Sequence, residues 1–503
     1  MKKETSLKKI GFFIKELRER RGLTQEAFAK ALSTSQSAVA RMEKGEQNLS
    51  TEILAKISNV LEHQIVSINN SIDFEINGGK KLHGSITTNF SKNGSVGLLC
   101  ASLLNKGKTT LHGIARIEEV NRVIEVLLSI GVSIKWIDKN SVEIVPPNEF
   151  KLDKINVESA VITRSVLMLI GPLIHSLKNF SIPHASGCKL GKRTISAHTY
   201  ALEDIGVKIK TTNNQYQINV SKLKSAEIIM YEAGDTACEN VLTAVSKIEG
   251  TSIIKFASAN YMVQEICFFL EKLGVQIEGI GNSTLVVHGV KEINKNVEYY
   301  NSEDPIESMM FISATIATDS LLSILRCPID FLSLELDKLK HMGLKYKVSK
   351  KYKSYNERTN LVDIQIFPSK LKALEDKIHA NPYPGLNMDN LPFFVPIAIK
   401  AKGQTMIHDW SYENRAIYFT ELNRLGASVT LADPHRVYIQ GGTQLKGAQV
   451  VCPPALRPAM IILIGMLGST GTSILRNVYM IDRGYEEIAL RLNKIGADIK
   501  ILK

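Results

Sequence analysis

The sequence lacks a hydrophobic run long enough to cross a membrane. Its longest apolar stretches, SVLMLIGPLIH and AMIILIGMLG, fall well short of the roughly 18 residues that a membrane helix needs. The first residues, MKKETSLKK, are basic like the start of a signal peptide, but GFFI is too short an apolar segment to follow them. We therefore predict a protein that is neither exported nor embedded in a bilayer.

Closely spaced cysteines are also absent. The six cysteines include no CxxC pair, so the spacing of a zinc site is missing, and a disulfide framework is implausible in a chain of 503 residues. The histidines, among them His184, His198 and His379, are scattered without ligand spacing. We expect no metal site and no cofactor, and a cytoplasmic location.

The length and charge of the chain set the next limits. It is too long for a single hydrophobic core, and its 44% of hydrophobic residues can fill two or three domains. A formal net charge of +12 suits an anionic partner. That charge alone does not show whether the partner is nucleic acid, a phosphorylated metabolite or an anionic lipid. The positions of the cations along the chain have to show which it is.

Residues 8–66 have the pattern of short helices with abrupt turns between them. Thr24 and Ser50 occupy N-cap positions, since apolar residues follow each at helical spacing. In TQEAFAKALSTSQSAVARMEKG, Ala29 is small where two helices would cross. The residues expected to face the core of this module are Leu32, Val39 and Met42.

This segment resembles the DNA-binding domains of the phage Cro and repressor type, the Xre-like helix-turn-helix family. The resemblance implies that Gln25 holds a DNA phosphate and that Gln36, Ser37 and Arg41 face the major groove. Ser33 stands where many members have glycine at the turn. The alternative is a bundle that only dimerises the protein. We favour DNA binding by a pair of copies, because polar residues occupy the recognition positions.

From about residue 70 onward, strands and amphipathic helices alternate and a repeat is present. Six segments join the end of a helix, a glycine and a strand: LLSIGVSI, LEDIGVKI, LEKLGVQI, LKHMGLKY, LNRLGASV and LNKIGADI. Each glycine suits a helix end that needs a left-handed backbone. Six α/β units therefore follow one another, either as a solenoid or as two domains of three units across a cleft.

Four cations fall in predicted connections, and together they suggest an anion site. They are Lys92 in FSKNG, Arg193 in SGCKLGKR, Arg457 in PPALRPAM and Arg483 in YMIDRGYE. With the YPGLNMD segment and the ENR triplet at 413–415, these motifs make the chain from about residue 73 onward similar to the enolpyruvyl transferases, in particular to the branch that acts on nucleotide sugars.

The resemblance implies an α/β fold: a two-domain inside-out α/β barrel of six βαβαββ units, preceded by the small all-α helix-turn-helix domain. The implied domains are residues 1–68 for the helix-turn-helix, residues 69–91 with 299–503 for a discontinuous transferase half, and residues 92–298 for the half that carries the cysteine loop. The first strand, in DFEINGGKKLHGSITT, would pair with the carboxyl-terminal half.

The implied reaction transfers the enolpyruvyl group of phosphoenolpyruvate to a hydroxyl of UDP-N-acetylglucosamine and releases phosphate. Asp389 would be the general base, and Cys188 in a mobile loop would protonate C3 of the enol. Lys92 would also act in catalysis. The implied substrate-binding residues are Asn93, Arg164, Arg193, Arg415, Arg457 and Arg483. Phosphoenolpyruvate is a compact multiple anion, for which arginine forks are well suited.

The side of the site that would read the nucleotide sugar departs from the family. The residues after Arg193 lack the aspartate expected to meet uracil, and Glu232 replaces a short polar residue near the expected diphosphate, where a carboxylate repels phosphate. Other departures are Asn260 and Met262 for an acidic pair, and Ala455 for an aspartate.

Three functions therefore stay open. The first is transfer to UDP-N-acetylglucosamine by an enzyme with an attached DNA-binding domain. The second is enolpyruvyl transfer to a different nucleoside or sugar acceptor. The third is a non-catalytic regulator that senses phosphoenolpyruvate or a cell-wall precursor. The presence of both Cys188 and Asp389 favours an enzyme, because a sensor needs neither an acid nor a base.

Overall fold

A computed structural model of the chain describes residues 2–61, 72–184 and 194–502. The chain divides into a small amino-terminal unit that ends at Ile72 and a larger unit, Asp73–Leu502. Within the described residues no helix is long and apolar enough to cross a membrane. The predicted boundary at residues 68 and 69 lies outside the described residues and stays a prediction.

The small unit is helical, as the sequence predicts. Its helices are α1 (Lys2–Arg20), α2 (Gln25–Ala31), α3 (Gln36–Lys44) and α4 (Thr51–Val60). Thr24 Oγ1 accepts a hydrogen bond of 3.1 Å from the N–H of Ala27, and Ser50 Oγ accepts one of 3.2 Å from the N–H of Ile53. Both predicted N-caps are therefore confirmed.

The core of the small unit forms where these helices meet. Ala29 is buried in it, and so are the predicted core positions Leu32, Val39 and Met42. Ser33, in the turn between α2 and α3, has a left-handed backbone with φ 55°. This conformation explains why glycine suits the position, since a side chain is strained there.

A buried ion pair links the helices of the small unit. Glu43 on α3 accepts hydrogen bonds from Arg18 on α1, of 2.5 Å from Nε and 3.1 Å from Nη2. Each of these residues is 6% exposed. Gln25 Nε2 donates to the same carboxylate at 2.8 Å. The side chain of Gln25 is therefore oriented by Glu43 at the start of α2.

The larger unit alternates strands and helices along its whole length. Its strands are β1 (Asp73–Asn77), β2 (Ser85–Thr87), β3 (Thr109–His112), β4 (Ser133–Trp136), β5 (Ser141–Val145), β6 (Asn179–Pro183), β7 (Val207–Thr211), β8 (Gln215–Val220), β9 (Glu227–Ile229), β10 (Gly250–Lys255), β11 (Gln276–Glu278), β12 (Thr284–Gly289), β13 (Val297–Tyr300), β14 (Leu322–Pro328), β15 (Lys345–Val348), β16 (Tyr352–Lys353), β17 (Asn360–Phe367), β18 (Ile378–His379), β19 (Gln404–His408), β20 (Ser428–Asp433), β21 (Arg436–Gln440), β22 (Gln449–Val451), β23 (Thr472–Arg476) and β24 (Ile499–Leu502).

Its helices are α5 (Lys92–Ala101), α6 (Glu118–Ser129), α7 (Val157–Ile162), α8 (Ile170–Leu173), α9 (Ser196–Glu203), α10 (Asp235–Val245), α11 (Tyr261–Leu273), α12 (Pro305–Ala317), α13 (Ser333–His341), α14 (Phe394–Lys400), α15 (Leu456–Gly468), α16 (Tyr479–Asp482) and α17 (Ile488–Lys494). Short 3₁₀ helices include Arg164–Leu169 and Ala416–Leu425.

In the described parts of the larger unit these strands form six sheets. Three use strands from the middle of the chain, in the orders β13-β3-β5-β4, β6-β8-β7 and β11-β12-β10-β9. The other three have the orders β22-β23-β1-β24, β15-β17-β14-β2 and β18-β19-β21-β20. Two sets of three sheets match the six sequence repeats arranged as two groups of three.

The repeat glycines have the backbone that the sequence predicts. All six are left-handed, with φ between 88° and 103°: Gly131, Gly206, Gly274, Gly343, Gly426 and Gly496. Gly274 is the C-cap of α11, and Gly426 ends the 3₁₀ helix Ala416–Leu425. A repeated helix end of this kind turns each helix back into a strand of its own sheet.

The first two strands of the larger unit pair with strands that come much later in the chain. β1 pairs antiparallel with β23 and β24, and β2 pairs parallel with β14. β13 pairs parallel with β3, so the chain leaves that sheet only after Tyr300. β13 therefore crosses the expected boundary between residues 298 and 299. The division into two transferase halves stays a prediction at its stated limits.

Three buried helices bring their amino ends to one region. Lys92 is the first residue of α5, Asp304 is the N-cap of α12, and Arg457 is the second residue of α15. The backbone N–H of Lys92 donates to Asp304 Oδ2 at 3.3 Å. Because the amino end of a helix carries partial positive charge, this region is suited to an anion even before its side chains are counted.

Candidate active site

Arg457 lies at the centre of the predicted site. Its side chain is buried, Nη2 donates to Asp389 Oδ2 at 3.0 Å, and Nη1 donates to the hydroxyl of Tyr485 at 2.7 Å. Although burial opposes the charge, Tyr485 and Asp389 raise the pKa of Arg457 above its ordinary value. Arg457 is therefore a fixed positive charge whose fork is aimed at the predicted base.

Asp389 is held as a carboxylate by the cations around it. Burial alone would raise its pKa, but Arg457, Arg415 and Lys92 lower it below the ordinary value of an aspartate. The backbone N–H of Asp389 donates to Asn387 Oδ1 at 2.8 Å, which fixes the turn that presents the carboxylate. An ionised, oriented carboxylate of this kind can accept a proton from a bound hydroxyl group.

Arg415 approaches this site from the protein interior. It is 1% exposed, and Nε and Nη2 form a bidentate pair with Asp409 at 2.5 and 2.8 Å. Nη2 also donates to the carbonyl of Met388 at 2.7 Å, and Nη1 lies 3.8 Å from Asp389 Oδ1. These contacts make Arg415 a support for Asp389, and its contact with substrate stays a prediction.

Lys92 and Asn93 lie beside this cluster at the start of α5. Removal from water lowers the pKa of Lys92, and the charges of Arg457 and Arg483 act in the same direction. Glu119 and Asp389 oppose this effect. Asn93 Nδ2 donates to the hydroxyl of Tyr261 on α11 at 3.0 Å. Both residues stand in a region rich in positive charge.

Glu119, the second residue of α6, is a site residue that sequence reasoning missed. Arg483 donates to it from Nε at 2.7 Å, and Nη2 forms an ion pair of 2.5 Å. Thr163 Oγ1 donates to the same carboxylate at 2.6 Å. Lys92 and Arg483 lower the pKa of Glu119 although burial opposes them. In the sequence, Glu119 is an ordinary acidic residue in the first turn of a helix, so no motif identifies it as a site residue.

The predicted loop residues Cys188 and Arg193 lie outside the described residues. Arg164 is described, and its Nη2 donates to the carbonyl of Thr194 at 2.7 Å. Burial and the charge of Arg164 lower the pKa of His198 to about 4. Arg164 thus lies at the carboxyl end of segment 185–193. The roles of Cys188 and Arg193 stay predictions.

A cavity of about 380 Å³ lies next to Asp389. One wall is the segment from Asn381 to Met388 that leads to Asp389, and the opposite wall includes the amino end of α10. Asn387 Nδ2 donates to Asn260 Oδ1 at 3.3 Å, which joins the two walls. The cavity is therefore an open space beside the predicted base.

The predicted DNA-binding residues of the small unit lie on one side of α3. Gln36, Ser37 and Arg41 are exposed, whereas Val39 and Met42 of the same helix are buried in the core. Their outward position is what a recognition helix needs. The contacts that they would make with DNA stay predictions.

The fold and the site together define a class of enzyme. The described part of the larger unit has six sheets and a cluster of fixed cations, and the cluster holds one ionised aspartate beside a cavity. Those are the parts needed to bind a compact anion and to deprotonate a second substrate. The larger unit is a group transferase of the enolpyruvyl transferase fold.

Comparison with known proteins agrees with this class. The chain belongs to the EPSP synthase (3-phosphoshikimate 1-carboxyvinyltransferase) family, whose model matches residues 76–492. Residues 14–62 match the helix-turn-helix family, so the small unit is a helix-turn-helix domain. The family assignment predicted from the sequence is confirmed for both units.

Two relatives are named UDP-N-acetylglucosamine 1-carboxyvinyltransferase. The one from Treponema denticola is 31% identical, over 85% of this chain and 99% of the relative, and the one from Bradyrhizobium diazoefficiens is 29% identical, over 85% and 98%. The enolpyruvyl transferase NikO from Streptomyces tendae is similar in structure, with a TM-score of 0.74, 22% identity and coverage of 86% of this chain and 99% of NikO. EPSP synthase from Acinetobacter baumannii has a TM-score of 0.68 at 19% identity, over 86% of this chain and all of that chain.

Replacement of Glu119 by glutamine is expected to move the alkaline limb of the pH profile to lower pH. Lys92 acts as a cation, so activity is present below its pKa and is lost as pH rises through it. Glu119 stabilises the charged form of Lys92, so the replacement of Glu119 lowers the pKa of Lys92 further. We expect a shift of about one pH unit in the alkaline limb of kcat/KM, which corresponds to about 1.4 kcal/mol.

Glu118 provides the matched control for this prediction. It precedes Glu119 on α6 and forms an ion pair of 2.5 Å with Arg122. Glu118→Gln removes the same charge from the same helix without touching Arg483. Profiles of kcat/KM against pH that are the same for both variants would contradict the role given to Glu119. The charged groups that act on Lys92 are Glu119, Asp389, Arg457 and Arg483.

Proposed function

We propose that the larger unit transfers the enolpyruvyl group of phosphoenolpyruvate to a hydroxyl of UDP-N-acetylglucosamine or a related acceptor and releases phosphate. The observation that carries the proposal is the pairing of Arg457 with Asp389. It sets an ionised base at the edge of a cationic cluster, beside a cavity that can hold the acceptor. Two relatives of this chain have names that indicate the same reaction.

We assign each group the role that the family resemblance implies. Lys92, Arg457 and Arg483 bind the phosphate and carboxylate of phosphoenolpyruvate. Asp389 takes the proton of the acceptor hydroxyl as its oxygen forms a bond with C2, and the C2–C3 double bond opens as C3 gains a proton, which we assign to Cys188. The Cys188 thiolate left by this step then takes a proton back from C3, which restores the double bond as the C2–O bond breaks and phosphate leaves. Both steps balance without a cofactor.

A second candidate differs only in the acceptor. Carboxylates of Glu232 and Asp235 lie at the amino end of α10, where the diphosphate of a nucleotide sugar is expected. This observation favours transfer to a hydroxyl compound of another kind. The non-catalytic sensor is the least supported function, because the pKa of Asp389 is held low for a base and the cavity opens beside it.

The proposal is tested by phosphate release from phosphoenolpyruvate. The full chain is assayed with UDP-N-acetylglucosamine, with uridine, with N-acetylglucosamine and with no acceptor. Acceptor-dependent release supports enolpyruvyl transfer, and mass spectrometry of the product identifies the acceptor. Tight binding of phosphoenolpyruvate without release in any mixture would support the sensor instead. A cytoplasmic location stays a prediction of the sequence.

We also propose that the small unit binds DNA as a pair of copies, through Gln36, Ser37 and Arg41 with Gln25 on a phosphate. Arg41→Ala is expected to weaken binding to the upstream region of its own gene about tenfold or more, since a base contact contributes about 1–3 kcal/mol. A gel shift measures this. Lys30→Ala on α2 is the control, because Lys30 is exposed and carries the same charge. Equal retention of DNA by both variants would show that the domain is structural.

A further inference from the structure

The amino end of α10 forms part of the wall of the cavity next to Asp389, and it is unlike an ordinary helix end. Exposed N–H groups and the helix dipole usually make such an end attractive to phosphate. Here the chain supplies two carboxylates to it, from Glu232 before the helix and Asp235 as its first residue. The role of these carboxylates rests on the proposed function, since it concerns the class of acceptor.

Both carboxylates are placed at this helix end. Asp235 accepts hydrogen bonds from Ser258 Oγ at 2.6 Å and from Asn260 Nδ2 at 3.1 Å, so it is fixed in the wall. Glu232 Oε1 lies 3.0 Å from the position that a Cβ on Gly234 would occupy. Gly234 is the N-cap of α10, so the Glu232 carboxylate lies close to the beginning of the helix. An incoming anion would therefore meet two carboxylates at this helix end.

The rest of the cavity does not supply a compensating cation. None of its sixteen described lining residues is lysine or arginine, and Asp330 and Glu335 are two further carboxylates. Asp330 has an ion pair of 3.3 Å with Lys351, outside the lining. Glu335 is held by the amide of Asn390 at 2.8 Å. The charged residues of the described lining are therefore all acidic.

Two aromatic side chains also line the cavity. Phe331 and Tyr383 line the cavity, and their ring centroids are 5.2 Å apart. Such rings bind the apolar faces of sugars and bases by contact, without need for charge. A ligand with hydroxyl groups and an apolar face fits this combination of rings, amides and carboxylates.

We propose that Asp235 in the lining, with Glu232 beside the same helix end, makes the cavity select an acceptor that carries no phosphate at the α10 end. The preferred acceptor is an uncharged or amine-bearing hydroxyl compound, of the class of sugars, amino sugars and nucleosides. A nucleoside diphosphate sugar is discriminated against, because its phosphates would approach two carboxylates in a cavity whose described lining includes no lysine or arginine. Asn387 and Asn260 join the walls on which such an acceptor would lie.

The test uses a variant that changes charge and little else. Glu232→Gln and Asp235→Asn are combined in the full chain, so that the shape of both side chains is kept. At position 235 the amide oxygen can still accept from Asn260, and the amide nitrogen donates to Ser258 Oγ, from which the aspartate accepts. Asp153→Asn with Glu249→Gln is the control, because both residues are exposed and neither lines the cavity. Calorimetry in the presence of phosphoenolpyruvate measures the binding of UMP, UDP-N-acetylglucosamine, uridine and glucosamine, and phosphate release is measured with the same compounds.

We expect glucosamine or uridine to exceed UDP-N-acetylglucosamine in kcat/KM for the native chain. We also expect the double variant to bind UMP and UDP-N-acetylglucosamine at least tenfold more tightly, with no such gain in the control. A native chain that prefers UDP-N-acetylglucosamine, with no gain in the variant, overturns this selectivity while the proposed function stands. If no acceptor supports phosphate release, the proposed function fails, and calorimetry still decides whether the two carboxylates exclude phosphate.

Discussion

Asp389→Asn is expected to reduce kcat for phosphate release about a thousandfold while the binding of phosphoenolpyruvate is kept. An asparagine has the shape of the aspartate and its side-chain oxygen can still accept from Arg457, so the cationic cluster stays in place. It cannot take the proton of the acceptor hydroxyl. Losses of about 10²–10⁴ are typical when a general base is removed.

The same substitution is expected to leave the affinity for phosphoenolpyruvate unchanged or higher. It removes a negative charge from a site that binds an anion, next to Lys92, Arg415 and Arg457. The measurements are single-turnover phosphate release and calorimetric titration with phosphoenolpyruvate. This split between chemistry and binding separates a base from a residue that only shapes the site.

Asp433→Asn is the control for Asp389. It is the same chemical change at a carboxylate that pairs with Arg436 at 2.5 Å on the surface of the same unit. We expect this variant to behave like the native chain. A native kcat in Asp389→Asn, or a loss of phosphoenolpyruvate affinity as large as the loss of rate, would show that Asp389 is not the base.

Arg457→Lys is expected to weaken phosphoenolpyruvate binding about a hundredfold. Lysine keeps one positive charge but loses the planar fork that donates to Asp389 and to Tyr485 at the same time. An ammonium group is a point charge without that fork, so the substrate loses a bidentate partner. Calorimetry with phosphoenolpyruvate measures the change directly.

Arg457→Lys is also expected to change the dependence of kcat on pH. Asp389 acts deprotonated, so activity is lost as pH falls through its pKa. Arg457 is the cation that lowers this pKa most, so the loss of its fork raises the pKa. The acidic limb of kcat is therefore expected to move to higher pH. An unchanged limb would mean that Arg457 does not control the charge of Asp389.

Arg457→Ala is expected to destabilise the larger unit as well. Removing one partner of a fully buried ion pair typically costs about 3–5 kcal/mol, and we expect the lower end of this range because Arg415 still lies 3.8 Å from Asp389. Chemical denaturation measures the free energy of unfolding. Arg424→Lys and Arg424→Ala are the controls, because Arg424 pairs with Glu421 at 2.8 Å on the surface, where such pairs contribute at most about 1 kcal/mol.

Short-range features of this protein could be predicted from its sequence. Thr24 and Ser50 cap helices where the pattern places them, and the six repeat glycines all have a left-handed backbone. These features depend on residues within a few positions of one another, whose backbone preferences are local. The segments around Asp389 and Arg457 marked a site because they are short stretches that resemble those of enolpyruvyl transferases.

What the sequence by itself determined was the helix-turn-helix module, the order of six α/β units and the cations of an anion site. Only the tertiary structure decided which charge meets which partner. Glu119 and Arg483 are 364 residues apart in the chain and still form an ion pair, and Arg415 is turned inward to Asp409 and the carbonyl of Met388. Such pairs depend on how separate sheets and helices pack, and no local spacing of residues carries that information.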